Sequence, residues 1–129
     1  MKAALINAVI IGSGGFLGSF ARYGLSGLVH RQMPLVTFPY GTLVVNLLGC
    51  LVIGMFAGLA ASRQLFAPEF RTFALVGFLG GFTTFSTFGY ETFTMFRNDE
   101  YLRASTNVGT HVIFGLALVW LGYTLTTLR

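Results

Sequence analysis

The chain has 129 residues, a mean hydropathy of +0.74, 54% apolar residues and only 9% charged ones. Soluble domains carry about 25% charged residues, so this composition excludes an ordinary soluble domain and points to lipid. The net charge of +4 comes from basic residues scattered singly at segment ends, a pattern that suits snorkelling to headgroups and not a nucleic-acid surface.

A membrane span takes roughly 20 apolar residues, so this length holds four helices and no separate soluble domain. Residues 1–129 are therefore read as one transmembrane domain of the all-α class. Met1-Lys2 and the apolar run behind them resemble a signal peptide. The run is too long for one and has no small-residue cleavage site, so the expectation is a first spanning helix. That helix is predicted over about Leu5 to Val29. Gly14 and Gly18, four apart, offer a groove for close helix packing. No strand precedes these glycines and their spacing is not that of a nucleotide-binding loop. Arg22 near the helix end reads as an anchor.

His30 to Phe38, with Pro34 inside and Pro39 just beyond, reads as a loop. A second helix is predicted over about Tyr40 to Ala61, again with glycines four apart at Gly54 and Gly58. Its Cys50 is the chain's one cysteine and reads as a small packing residue. Ser62 to Pro68, which holds Arg63, forms the next loop. The third segment, about Glu69 to Arg97, is long enough for two half-helices. Asn98-Asp99-Glu100 makes a polar turn, and the fourth helix runs from about Tyr101 to Leu128.

The stretch from Gly77 to Phe88 organises the rest. It is Gly77-Phe78-Leu79-Gly80-Gly81-Phe82-Thr83-Thr84-Phe85-Ser86-Thr87-Phe88, with three glycines and four hydroxyl side chains inside an apolar segment. Backbone groups left unpaired in hydrocarbon cost several kcal/mol each, so a broken helix survives there only against protein or water. Inward carbonyls and hydroxyls at such a break are a common way to build an ion site.

Three polar patches fall inside the predicted spans. Thr42 and Asn46 share one face of the second helix, and Asn46 lies in the apolar run Val44-Val45-Asn46-Leu47-Leu48. It serves either as an interhelical hydrogen bond or as a pore amide. Thr84, Thr87, Glu91 and Thr94 follow helical spacing on the third segment, and Glu91 is the one acid well inside a span. Thr106, Asn107, Thr110 and His111 make the third patch. Phe85 and Phe88 are read first as lipid-facing or packing residues. The alternative rests on the positive edge of an aromatic ring, which attracts an anion without holding it tightly.

Charge balance gives a second expectation. With four spans, Lys2, Arg63, Arg71 and Arg129 fall on one side, and Arg22, Arg31, Arg97 and Arg103 on or near the other. Four against four leaves the positive-inside rule no bias. Insertion in both orientations, and so an antiparallel homodimer, follows as a hypothesis.

Gly41-Thr42-Leu43-Val44-Val45-Asn46-Leu47-Leu48-Gly49 and the stretch 77–88 resemble the signature motifs of the Fluc (CrcB) fluoride channel family. Gly14-Gly15-Phe16-Leu17-Gly18, followed by Arg22-Tyr23, is similar to that family's first helix. The resemblance covers essentially the whole chain. It implies a passive, fluoride-selective channel that exports cytoplasmic fluoride across the bacterial inner membrane, built as a dual-topology homodimer with two pores along the subunit interface. By motif match it implies Asn46 as pore amide and Phe85 and Phe88 as ring edges. Thr42, Ser86, Thr87 and Glu91 lie along a polar track, and His111 is the pore-side residue of the fourth helix. It also implies a central structural sodium ion on backbone carbonyls of Gly80 and Thr83. Tyr90 stands where family members often carry small residues, which implies an altered vestibule.

Other classes fit less well. No His or Cys stands at metal-ligand spacing, and no nucleophile–base pair is suggested, so an enzyme is disfavoured. A proton-coupled small multidrug exporter shares the short four-helix architecture. It depends on an acid in its first helix, and Leu5 to Val29 contains neither Asp nor Glu.

Overall fold

The computed structural model describes residues 2–33, 37–63 and 66–128, and its regular structure there is entirely helical. Helix α1 spans Lys2–Gln32 and α2 spans Tyr40–Arg63. The third segment begins with α3 (Pro68–Arg71), widens into a π-helical stretch (Thr72–Leu79), and closes with the single turn α4 (Gly80–Phe82). After a break it resumes as α5 (Phe85–Arg97), and α6 (Tyr101–Thr127) completes the chain. Four segments are long and apolar enough to cross a membrane: 2–32, 40–61, 68–97 and 101–127. The protein is an integral membrane protein.

Boundaries follow local chemistry. Pro68 takes the first turn of α3, where a missing N–H costs nothing, so this proline starts the helix one residue before the expected Glu69. The first two helices run a few residues past their expected ends, to Gln32 and Arg63; Pro34 lies outside the described residues. At the polar turn Asp99 takes φ 60°, a left-handed value that Asp tolerates, and the Glu100 amide donates to the Met95 carbonyl at 2.9 Å. The connection 98–100 is too short to recross a bilayer, so α5 and α6 run in opposite directions.

Two helix pairs form the bundle. The α1 helix packs along the π-helical stretch and α4, while α2 packs along α6. Both pairs close on glycine. A Cβ on Gly14 would lie 2.9 Å from Gly77 Cα and 2.7 Å from the Phe73 carbonyl oxygen, so both backbones must be bare there. In the second pair, a Cβ on Gly122 would meet the Met55 amide at 2.7 Å. The partner expected of Gly14 and Gly18 is thus the third segment, and that of Gly54 is α6.

Rings such as Phe16, Phe20, Phe114 and Trp120 lie exposed on the outside, which an apolar solvent accommodates. Among the described residues the largest fully buried side chains are Val45 and Asn107. Three threonines and this fully buried amide lie among the buried apolar side chains, so polar groups are built into an otherwise apolar interior.

Candidate functional site: a broken helix clamped by an asparagine

The break in the third segment has an identifiable cause. Thr83 (φ −85°, ψ 158°) and Thr84 (φ −150°, ψ 106°) are both extended between α4 and α5. In a continuous helix the Thr84 amide would donate to the Gly80 carbonyl four residues back. It donates instead to Asn46 Oδ1 at 2.8 Å, while Asn46 Nδ2 donates to the Thr84 carbonyl at 3.2 Å. One asparagine on α2 therefore satisfies both polar groups of an unwound peptide in the middle of a span. A leucine here would leave both groups orphaned in an apolar bundle.

Thr84 also restarts the helix. As N-cap of α5, its Oγ1 accepts the Thr87 amide at 3.3 Å and donates to Thr87 Oγ1 at 2.9 Å, with Ser86 Oγ at 3.4 Å. The Thr87 amide is thereby drawn from the Thr83 carbonyl, its helical acceptor. Two carbonyls, Gly80 and Thr83, thus lose their regular donors at the break.

The hydrogen-bond donors can be counted from these pairings. Thr84 gives its one hydroxyl proton to Thr87, which leaves the Thr87 proton available. The Ser86 side chain is exposed, and because the Thr84 proton goes to Thr87, Ser86 is the donor in its 3.4 Å contact with Thr84. Asn46 keeps one of its two amide hydrogens. Thr42, 7% exposed, gives its proton to Glu91 Oε1 at 2.7 Å. Glu91 Oε2 is buried and has no hydrogen-bond partner in the protein.

The eight expected pore residues separate into two groups. A cavity of about 890 Å³ opens between the end of α1 and the start of α2, and Thr42, Thr84, Thr87 and Glu91 form its inner wall. Arg22, His30 and Arg31 line the same cavity, so Arg22 belongs to a vestibule besides sitting at a helix end. Phe85, Phe88 and His111 do not line it and form an aromatic row instead. Phe85 and Phe88 have ring centroids 5.5 Å apart at 54°, and Phe88 and His111 are 4.3 Å apart at 41°. Asn46 and Ser86 stand between the two groups through their contacts with Thr84. Tyr90 is 71% exposed and outside the vestibule lining.

Two residues matter more here than the sequence indicated. Thr84 was visible as one member of a hydroxyl stripe, yet it is the hub of the break. Thr92 gave no signal beyond being a threonine in an apolar helix, and it is buried with its hydroxyl donating to the Phe88 carbonyl at 2.7 Å. Conversely, the hydroxyls of Thr94, Thr106 and Thr110 bond carbonyls of their own helices, at Tyr90, Leu102 and Thr106. No group of three His, Cys, Asp or Glu side chains able to hold a metal occurs among the described residues.

Comparison with known proteins finds relatives along most of the chain. The family model described as "CrcB-like protein, Camphor Resistance (CrcB)" matches residues 9–123. A fluoride-specific ion channel FluC of Nitratidesulfovibrio vulgaris strain Miyazaki F is 46% identical over 114 residues, covering 88% of this chain and 91% of the relative. The FluC of Methylobacillus flagellatus is 42% identical over 121 residues, 94% of each chain. That of Geotalea daltonii is 45% identical over 114 residues, with 88% and 91% covered.

Proposed function

The chain belongs to the CrcB family, and on that premise we infer that it is a fluoride-selective passive channel of the bacterial inner membrane, and no enzyme. The observation that carries the reading is the asparagine-clamped break, which gathers amide and hydroxyl donors at the start of α5, the half-helix that carries Phe85 and Phe88. Fluoride is small and strongly hydrated, so a path for it must supply donors as water is stripped away. The free protons of Thr87 and Asn46 supply them, and Ser86 adds a third by turning away from Thr84. Ring edges attract the ion weakly enough for it to leave, the balance that conduction requires. Arg22 and Arg31 in the vestibule raise the local anion concentration before that step.

The working unit is an antiparallel homodimer with two pores at the subunit interface. Phe85 is 83% exposed on a single chain although it adjoins a mid-span break, which leaves the ring for a second copy to cover. The evenly divided basic residues allow that copy to insert upside down.

A structural sodium ion is proposed at the centre of this dimer. The carbonyls of Gly80 and Thr83, which lose their regular donors at the break, are the hard oxygen ligands that such a cation takes. The ion would supply charge that ties two oppositely directed backbones together.

The test is anion efflux from liposomes holding the purified protein, read with a fluoride electrode and then a chloride electrode. Rapid fluoride efflux with negligible chloride efflux is expected. Equal efflux of the two, or none of either from a folded preparation, would overturn the assignment.

A further inference from the structure

Phe88 is held from two directions, and both holds start at Asn107, one from its side-chain amide and one from its backbone carbonyl. Asn107 on α6 is fully buried, and its Nδ2 donates to Thr92 Oγ1 at 2.9 Å. Thr92 Oγ1 in turn donates to the Phe88 carbonyl at 2.7 Å. From the other side, His111 Nδ1 lies 2.9 Å from the Asn107 carbonyl oxygen. A carbonyl only accepts, so Nδ1 carries the proton and the imidazole is fixed in that orientation. The ring so fixed packs on Phe88, with centroids 4.3 Å apart. The four residues close a loop: Asn107 to Thr92, Thr92 to the Phe88 backbone, the Phe88 ring to His111, and His111 back to Asn107.

We infer that Thr92 and Asn107 are positioning residues that set the angle of the Phe88 ring edge, and through it the flux and anion selectivity of the path. The inference rests on the fluoride-channel reading above. Neither side chain lines the vestibule, so neither acts as a donor there. Chemistry separates the loop from general helix glue. Asn107 Oδ1 is buried without a hydrogen-bond partner in the protein, so a residue chosen only to pack α6 against α5 would bury more cheaply as leucine. What asparagine adds is the Nδ2 donor, and that donor reaches Thr92. Thr92, by accepting from Asn107 while donating to Phe88, couples α6 to the backbone of the ring-bearing turn.

Thr92→Val keeps the shape of the side chain and removes both of its hydrogen bonds, while Thr92→Ser keeps both. Asn107→Leu removes the bond to Thr92 from the α6 side and leaves the His111 bond to the backbone carbonyl of residue 107 in place. Each is compared with wild type, reconstituted at matched protein content, by fluoride efflux rate, fluoride-to-chloride ratio and assembly state in detergent. Thr92→Val and Asn107→Leu are expected to lower fluoride efflux about tenfold and to lower the fluoride-to-chloride ratio, with assembly unchanged. Thr92→Ser is expected within about twofold of wild type. A merely structural loop would move stability without moving the anion ratio. Wild-type flux and ratio in Thr92→Val would overturn the inference. Loss of assembly in both disruptive variants would also overturn it, since the loop would then be a folding requirement. A wild-type protein that carries no fluoride would instead remove the channel reading, leaving the two failures distinct.

Discussion

Thr42 on α2 donates its hydroxyl proton to Glu91 Oε1 on α5 at 2.7 Å, across a sequence separation of 49 residues. The contact lies at the inner wall of the vestibule and ties α2 to the half-helix that follows the break. Glu91 accepts there, and its second oxygen, buried and unpartnered, is the one acidic group on that wall. A threonine proton committed to a carboxyl group is withheld from a passing anion, so Thr42 donates to fluoride only by turning away from Glu91. Thr42→Val removes the hand-over altogether and leaves both Glu91 oxygens without a protein partner. Fluoride efflux should fall by about tenfold, while Thr42→Ser stays near wild type. Equal rates in the valine variant would show that this hydroxyl takes no part.

Asn46 carries the break through its two bonds to Thr84. Asn46→Leu loses both and orphans the amide and the carbonyl, a cost of about 2–5 kcal/mol in the folded state. Asn46→Asp keeps the acceptor for the Thr84 amide but sets a carboxylate oxygen against the Thr84 carbonyl in mid-span, so a loss at least as large is expected. Chemical unfolding in detergent, followed by tryptophan fluorescence from Trp120, gives the two values. A leucine variant as stable as wild type would contradict the clamp.

Phe85 offers the cleanest separation of function from folding. Its ring is 83% exposed on the single chain, so Phe85→Ile removes little packing within one chain, and isoleucine keeps an apolar side chain for the second copy to cover. It does remove the ring edge from the path. Fluoride efflux should nearly stop while the melting temperature in detergent moves by no more than a few degrees. Wild-type flux in this variant would remove the ring-edge mechanism.

Much of this arrangement was legible in the sequence, and the rest was hidden for physical reasons. Spans emerged from hydropathy because lipid imposes length and apolarity on every residue of a helix. The break emerged because Gly80, Gly81 and the hydroxyl run cannot form a plain lipid-facing helix. The π-helical stretch Thr72–Leu79 had no signature, since nothing in its composition distinguishes it from an α-helix. Thr94, Thr106 and Thr110 fell in polar stripes with the residues of the break, yet each bonds a carbonyl of its own helix four residues back, as a helical threonine can always do. Spacing could not tell those residues from Thr92, which bonds back in the same way and also accepts from another helix.

Helix contact at Gly14 gives a prediction that touches no ion. A Cβ there would sit 2.9 Å from Gly77 Cα, and both atoms belong to backbone that cannot turn away. Gly14→Ala should separate α1 from the third segment and destabilise the fold by about 1–3 kcal/mol. Gly12→Ala, two residues earlier, meets nothing within 4 Å and should be neutral or slightly stabilising. Thermal unfolding of the two variants side by side reads the difference, and equal stability would contradict the packing.

The most direct test of the central claim is single-channel recording in a planar bilayer with unequal fluoride on the two sides and a pH gradient imposed separately. A fluoride channel gives discrete currents that reverse at the fluoride equilibrium potential and ignore the proton gradient. A reversal potential that follows the proton gradient, or the absence of discrete currents from protein that is folded and inserted, would contradict it.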